Sequence, residues 1–526
     1  MAETVGLLIL SAAGATTSVT GIGTASAIVI ADVAISVSTV ATVVGATAIT
    51  VAAIGLQYAL SNPNVPKPEN GAQPLKQALP ARQRGYWINR LGGYYMLFLA
   101  AGGDSQDVLA FHSGRIEEAL QLYLHDTPVS VSGGLGHGQY ATVISPTGIY
   151  YQNVSLQIFY GTDTQNSSDV AVNVSNTSGV WTSAYAGKGI ACICLNCGHA
   201  SDPEQFTKIY PQGLPLPSIV AKCAPVWDPR DVTQTEGDRA SWKASPNPVL
   251  QLLDYLTEPD GGMGEERSII LPPAALAQWM AEADLCDADV GGRARYESAG
   301  FYQFDNSPEN VITKILATCD GWLAEAGDGS LVLTVGVYRE PSDPPLTEEH
   351  IVGFTVRKGQ PDEETINQLD VTFTNPDAGY VTDQVDSIRD EDAISLTGGV
   401  RAKPLDLSWV QNAGQAAALG RRGMLRLNPK ASGTFVTTLY GMRYLGKRWI
   451  KVQFPNLNGG DVSVVEIQDR AQVDLLGGRV TFSWNLIDPI ALAALDGATS
   501  PTSPALLRQD GSAYLREDGS TLNREA

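Results

Sequence analysis

Two hydrophobic periods alternate along this chain. Between about Val129 and Ala200, apolar and polar residues alternate one by one, as in VSLQIFY (154–160) and VAVNVSN (170–176). A period of two is the signature of strands with one buried face, so this stretch predicts a small antiparallel sandwich. Upstream, GYWINRLGGYYMLFLAA (85–101) predicts a buried strand pair turning at Gly92–Gly93. DVLAFHSGRIEEALQLYLHDTP (107–128) continues as strands around a glycine turn.

The period then lengthens. In NPVLQLLDYLT (247–257), Val249, Leu252, Leu253 and Leu256 make one helical face, Asn247 supplies a cap and Pro248 fits the first turn. Further helices are predicted at Pro273–Asp284, Pro308–Ala326 and Gln415–Leu427. LVLTVGVY follows the third of them after the turn GDGS, and strands return through Trp484. Mixed helices and strands in this order predict multidomain α+β architecture rather than a doubly wound sheet.

The two ends break the pattern. Thr4–Ala31 and Val33–Pro66 are uncharged, with Asp32 alone between them, and no Lys or Arg precedes Lys67. Each half has the length of a membrane-spanning helix, but there is no basic flank of a secretory signal and none to set an orientation. Small residues dominate, which favours close helix packing. A buried helical hairpin, an arm that enters a host membrane and a permanent transmembrane anchor are the three readings. Residues 61–83 are a proline-rich linker. At the other end, LRQDGSAY (507–514) is followed by LREDGSTL (515–522), an eight-residue repeat around Asp-Gly turns, read as a hairpin stack, a docking tag or a solvated end.

Composition narrows the function classes. The 526 residues exceed a single core, so two to four domains are expected. With 53 glycines and 30 prolines, many short strands and loops are favoured. The formal net charge of −21 argues against binding a phosphate backbone. It suits a repulsive wall along which DNA passes without sticking. Six cysteines are too few for a disulfide scaffold and point to reduced, cytosolic folding.

Candidate chemistry is sparse. Cys192, Cys194 and Cys197, followed by His199, have donor types suited to zinc or an iron–sulfur cluster, with Cys223 as the candidate fourth ligand. The same run, IACICLNC, reads as a strand with Cys192 and Cys194 on one face, which makes them buried structural thiols. GGLGHG (133–138) lacks the following helix of a dinucleotide site and is expected to be a loop. The carboxylates Glu117–Glu118 and Asp362–Glu364 are adjacent rather than opposed across a cleft. The five histidines are scattered, no nucleophile elbow or zinc-protease helix is present, and no catalytic residue is assigned.

Four stretches, in order, carry a resemblance. They are HSGRIEEALQLYLHDTPV (112–129), NPVLQLLDYLTEPDGGMG (247–264) with Gly262, Met263 and Gly264 in its loop, FYQFDNSPENVITKILATCDGWLAEAGDGSLVLTV (301–335), and residues 367–454 with DVTFTNPDAGY and NAGQAAALGRRGMLRLN. Together they resemble the hub region of the lambda-like tail tip attachment protein J family, the siphophage tail tip or baseplate hub proteins, over about Asp104–Pro489.

Composition marks an apolar arm (1–62), which the lambda protein itself lacks, a linker (63–84) and a tail (496–526); between them the expected domains are a first hub domain (85–128 and 205–240) with an inserted β-sandwich (129–204), an α+β hub domain (241–345) and a tail-tube-like β-barrel hub domain (346–495). The resemblance implies a non-enzymatic virion protein made in the host cytoplasm. Three copies would close the tail tube and adapt its sixfold symmetry to threefold. The implied partners are the distal tail protein, other tail tip proteins, the end of the tape measure protein and a central tail fibre. DNA would pass through the lumen unbound, with possible host membrane contact through residues 1–60. The alternatives are a membrane-inserting ejection protein acting through the arm and a tail-borne cell-wall hydrolase.

Overall fold

The computed structural model describes residues 81–496, except 102, 176–178 and 361–364, and the backbone of two short strands near the start. Those strands, β1 (Ala27–Ile30) and β2 (Val33–Ser36), pair antiparallel from Ala27↔Ser36 to Ile30↔Val33. They correct the helical expectation for these eight residues: AIVI and VAIS are rich in β-branched side chains, whose stiff χ1 suits a strand. The rest of the arm, the linker up to residue 80 and the C-terminal repeat lie outside the described residues.

The first body is built on β3 (Gln83–Tyr86), β4 (Ile88–Leu91), β5 (Tyr94–Ala101), β6 (Asp104–Ser113), β7 (Glu118–Leu124), β8 (Thr127–Ser132), β9 (Tyr140–Ser145), β10 (Val154–Tyr160), helix α1 (Asp169–Ser175), β11 (Ile190–Cys197), α2 (Pro203–Ile209) and β12 (Pro217–Lys222). Nine of these strands form one sheet in the order β4-β12-β7-β8-β9-β10-β11-β6-β5. The block 129–204, expected as an inserted sandwich, thus contributes strands to the middle of this sheet.

The Gly92–Gly93 break falls where expected, but the two strands it separates do not pair; they form opposite edges of the sheet. Laid flat, nine strands would hold those edges about 38 Å apart. Leu91 and Tyr94 are three Cα steps apart, a reach of about 11 Å at most. The sheet therefore has to curl into a barrel-like wall. Leu109, Phe111, Leu122, Val143, Leu156 and Ile193 are buried in its core.

The alternating VAVNVSN segment is a correction too: it is helix α1, not a strand. Ser168 starts it, its Oγ accepting from the Ala171 amide at 3.3 Å and its carbonyl from Val172 at 3.0 Å. Ala171 then packs with Cys194, Leu97 and Val108. Local capping and this contact override the period-two pattern.

The second body holds α3 (Pro248–Thr257), α4 (Arg267–Ile270), α5 (Pro273–Asp287), β13 (Gly300–Gln303), α6 (Pro308–Ala317), β14 (Trp322–Glu325) and β15 (Leu331–Thr334). Asn247 caps α3 as expected, accepting from the Val249 amide at 3.0 Å, and its amide donates to Ala283 of α5 at 2.9 Å. Helix α6 stops nine residues earlier than its expected end at Ala326, because Asp320 adopts a left-handed φ of 49° and the chain turns into β14.

The third body has a seven-stranded sheet with its own core and a four-stranded one that shares its core with the helices of the second body, Val371, Leu405 and Leu419 clustering with Leu252 and Ile315. Its elements are β16 (Leu346–Thr347), β17 (Ile351–Lys358), β18 (Gln368–Asn375), β19 (Val381–Gln384), β20 (Ile388–Arg389), α7 (Glu391–Thr397), β21 (Ala402–Leu407), α8 (Ala413–Leu427), β22 (Ala431–Thr438), β23 (Trp449–Gln453), β24 (Val462–Ile467), β25 (Gln472–Asp474), β26 (Arg479–Leu486) and α9 (Pro489–Leu495). The larger sheet runs β16-β23-β24-β26-β22-β17, with β25 on β26. Its two edge strands are again neighbours in sequence, joined by one short turn over Glu348–His350. A flat path of six strands would need about 24 Å, and Thr347 to Ile351 reaches about 15 Å. This sheet also curls, around Phe435, Phe482, Trp484 and Val465. The fold is α+β, mostly strands, with two curled half-barrel sheets.

Candidate functional site

The cysteines occupy different environments. Cys192 and Cys194, two apart on β11, share a face and line a small cavity of about 140 Å³ with Met96, Trp181 and Tyr185. Cys197 belongs to the opposite face, in the core of the first sheet, and Cys223 follows β12 in that same core. Gln106 Nε2 lies 2.8 Å from Cys194 Sγ and donates to the Leu195 carbonyl at 3.0 Å.

All four cysteines are buried free thiols. Burial pushes Cys192 and Cys223 up to about 12 and Cys194 up to about 11, and it raises Cys197 as well. His199 is exposed and bonds Asp104 at 3.1 Å instead of turning toward the thiols. Among the described residues no three metal-ligating side chains gather. The spacing was legible in the sequence; the strand pleat separates its members.

The other marked residues find ordinary partners. Glu118 pairs with Lys222 at 3.0 Å, and Glu117 accepts from the Ala244 amide. GGLGHG is a loop between β8 and β9, where His137 Nδ1 accepts from the Tyr160 amide at 3.0 Å. Asp362–Glu364 lies outside the described residues. Gly262–Met263–Gly264 closes α3: the Met263 amide donates to Tyr255 at 2.9 Å and the Gly264 amide to Glu258 at 3.0 Å.

Sequence reasoning missed the charges that join the bodies. Asp320, Glu466 and Asp496 interlock with Arg422, Arg426 and Arg448. Arg422 Nε donates to Asp320 Oδ2 at 2.9 Å, and Arg426 and Arg448 each donate to Glu466 at 2.8 Å. Asp496, just beyond α9, accepts from Arg422 and from the Tyr338 amide. Burial alone would raise the Asp320 carboxyl, but Arg426, Arg448 and Arg422 hold it well below the usual carboxylate range. The only trace in the sequence is the pair Arg422 and Arg426, four apart on an otherwise apolar helix face.

A second knot sits under the first sheet. Arg84 pairs with Asp254 at 2.9 Å and Glu258 at 3.3 Å, and Tyr86 donates to Asp254 at 2.9 Å. The first knot sets three guanidinium groups against three carboxylates; in the second, Arg239 also pairs with Glu258 at 2.8 Å, so two face two, while Arg84 Nε and Arg422 Nη2 stay buried without a hydrogen-bond partner among the described residues. They hold elements in place, and burial raises the Asp254 carboxyl against the pull of Arg84.

What remains available for recognition is edge and surface. Among the described residues, strand β17 pairs with β22 alone and exposes Val352 and Phe354, and β5 pairs with β6 alone and exposes Met96 and Phe98. The tip between β25 and β26 presents Leu475 at 69% exposure and a fully exposed Leu476. Unpaired edges with apolar side chains are templates for strand addition or subunit contact. No helix among the described residues is long and apolar enough to cross a membrane.

No family model matches this sequence, and no curated protein does either. Among solved structures, a chain from the virion of a native gene transfer agent particle is similar, with 13% identity and a TM-score of 0.53. The likeness covers 85% of this chain and 94% of that one. The 43 kDa tail protein of prophage MuSo2 from Shewanella oneidensis is 14% identical over 78% of this chain and 95% of its own, with a TM-score of 0.29. The tail protein from Neisseria meningitidis is 10% identical over 79% and 98%, with a TM-score of 0.30. The gene transfer agent chain shows a similar fold over 85% of this chain.

Proposed function

We propose that this chain is a structural hub at the distal tip of a phage-type tail. It closes the tail tube, adapts sixfold to threefold symmetry, carries a central fibre and opens for DNA ejection. The observation that carries the reading is the fold shared with the gene transfer agent virion chain over 85% of this sequence. Two curled sheets whose partly apolar edge strands have one strand neighbour each among the described residues support it, because a wall segment needs edges that neighbouring copies complete.

In this reading three copies form a ring, in contact with the distal tail protein, other tail tip proteins, the tape measure terminus and the fibre. The net charge of −21 lets DNA pass without adsorbing. The role is structural, without turnover. A symmetry-resolved image of the assembled particle tests it: three copies ringing the tube end are expected, and a single copy elsewhere in the particle would refute it.

The uncharged runs Thr4–Ala31 and Val33–Pro66 favour one further reading, in which the arm inserts into the host membrane during ejection. Leakage of anionic vesicles that disappears when residues before Lys67 are removed is its expected signature.

A further inference from the structure

We propose that the groove between β19 and α8 is the docking site of this chain's own C-terminal repeat, residues 505–522. The groove encloses about 690 Å³, with Phe373, Val385, Ile388 and Ala417 among its lining and Asp383, Asp386 and Arg421 at its rim. Among the described residues strand β19 is an edge strand, paired with β18 alone, and all four of its residues are exposed. Asp383 is held in position by Asn375, whose side-chain amide donates to it at 2.8 Å. Neither Asp386 nor Arg421 has an ion-pair partner among the described residues. The site thus offers apolar anchor points, a free strand edge and charges of both signs.

The occupant is argued from where the tail leaves the fold. Asp496 accepts a hydrogen bond from Arg422, the residue next to Arg421 on the groove rim. Along α8, the groove extends from Arg421 back to Ala413, about 12 Å of helix. The nine residues from Asp496 to Ala505 reach about 30 Å, more than enough. A segment tethered this closely is present at an effective concentration in the millimolar range.

The repeat has matching chemistry. Leu507, Tyr514, Leu515 and Leu522 supply apolar side chains, and Arg508 and Arg516 recur at the repeat spacing. These two cations complement Asp383 and Asp386; Asp510, Glu517 and Asp518 complement Arg421. Strand addition at β19, with side chains alternating into the groove, accommodates all of these contacts.

Limited trypsin digestion of the full chain tests the assignment. Arg516 and Arg524 are both followed by glutamate, so Arg524, outside the repeat, is an internal control for the protease. Cleavage after Arg508 and Arg516 should be at least tenfold slower than after Arg524. Asp383→Lys combined with Asp386→Lys, both on the surface, should remove most of that protection. In a second variant, Leu507→Asp with Leu515→Asp, the folded body is untouched, and amide exchange at Val381–Gln384 should accelerate. Protection should survive hundredfold dilution. Equal cleavage at all three arginines in the wild type would overturn the proposal. Protection that vanishes on dilution would overturn it as well, because the occupant would then be a second copy.

Discussion

Arg448 grips Asp320 twice: its Nη2 donates to the carboxylate at 3.1 Å and its Nη1 to the main-chain carbonyl at 2.7 Å. One side chain of the third body thereby fixes both the charge and the left-handed backbone of the turn that ends α6 in the second. Arg422 and Arg426 complete the cage from α8. Removing the carboxylate leaves three buried guanidinium groups short of a counter-charge. We expect Asp320→Ala to destabilise the chain by about 3–5 kcal/mol, the usual cost of breaking a buried pair from one side. Urea unfolding read by tryptophan fluorescence measures it; a loss below 1 kcal/mol would show that the bodies are not joined here.

The same carboxylate sets an acid limit. Its folded pKa is depressed below its unfolded value, so its contribution is present above about pH 4 and is lost as pH falls further. Asp320→Asn should remove that acid limb while leaving the profile above pH 5 parallel to the wild type. Stability measured at half-unit steps from pH 2.5 to 6 gives the answer, and an unchanged acid limb in the variant would exclude Asp320 as its source.

A third prediction concerns the larger sheet of the third body. A Cβ on Gly433 would stand 1.9 Å from the Thr355 carbonyl, at the point where β22 pairs with the edge strand β17. Only backbone movement relieves that clash, so Gly433→Ala should cost about 1–3 kcal/mol. It should also speed amide exchange in Ile351–Lys358 relative to β23. Unchanged exchange there would mean that the edge accommodates the methyl group.

Local features were legible in the sequence and long-range ones were not. Asn247, Pro248 and the apolar face that follows specified α3 because cap, first turn and periodicity are neighbours in the chain. The same-face placement of Cys192 and Cys194 followed from the two-residue pleat. The curl of the sheets was hidden, because β4 pairs with β12 across more than a hundred residues and Gly92–Gly93 resembles a hairpin turn. VAVNVSN deceived because its small residues fit a helix once Ser168 caps it. The Asp320 cage joins residues from 320 to 496, and no window of sequence contains it.

The fourth prediction returns to the cysteines. With every one of the six buried and unpaired, the native chain should react with almost no equivalents of a thiol reagent at pH 8, and six should appear on unfolding. Elemental analysis should find less than about 0.1 zinc or iron per chain, since a ligand set would require several buried thiols to ionise. Stoichiometric metal would mean that the strand faces rearrange around it.

The last prediction separates a second pH window from the acid limb. His112 is fully buried, with its ring nitrogens facing the carbonyls of Gly85 at 3.3 Å and Gly114 at 3.2 Å. Burial, reinforced by the nearby Arg84, lowers it to about 4 against the pull of those carbonyls. The folded chain therefore keeps the ring neutral while the unfolded chain takes up a proton near pH 6.5. Between those two values the unfolded state binds more protons, so stability rises with pH, and it falls by about 3 kcal/mol in total as pH drops from 6.5 to 4. His112→Gln keeps a donor and an acceptor but cannot titrate. Its stability should be nearly flat across that window, while the Asp320 limb below pH 4 persists. A slope in the variant equal to that of the wild type would place the titrating group elsewhere.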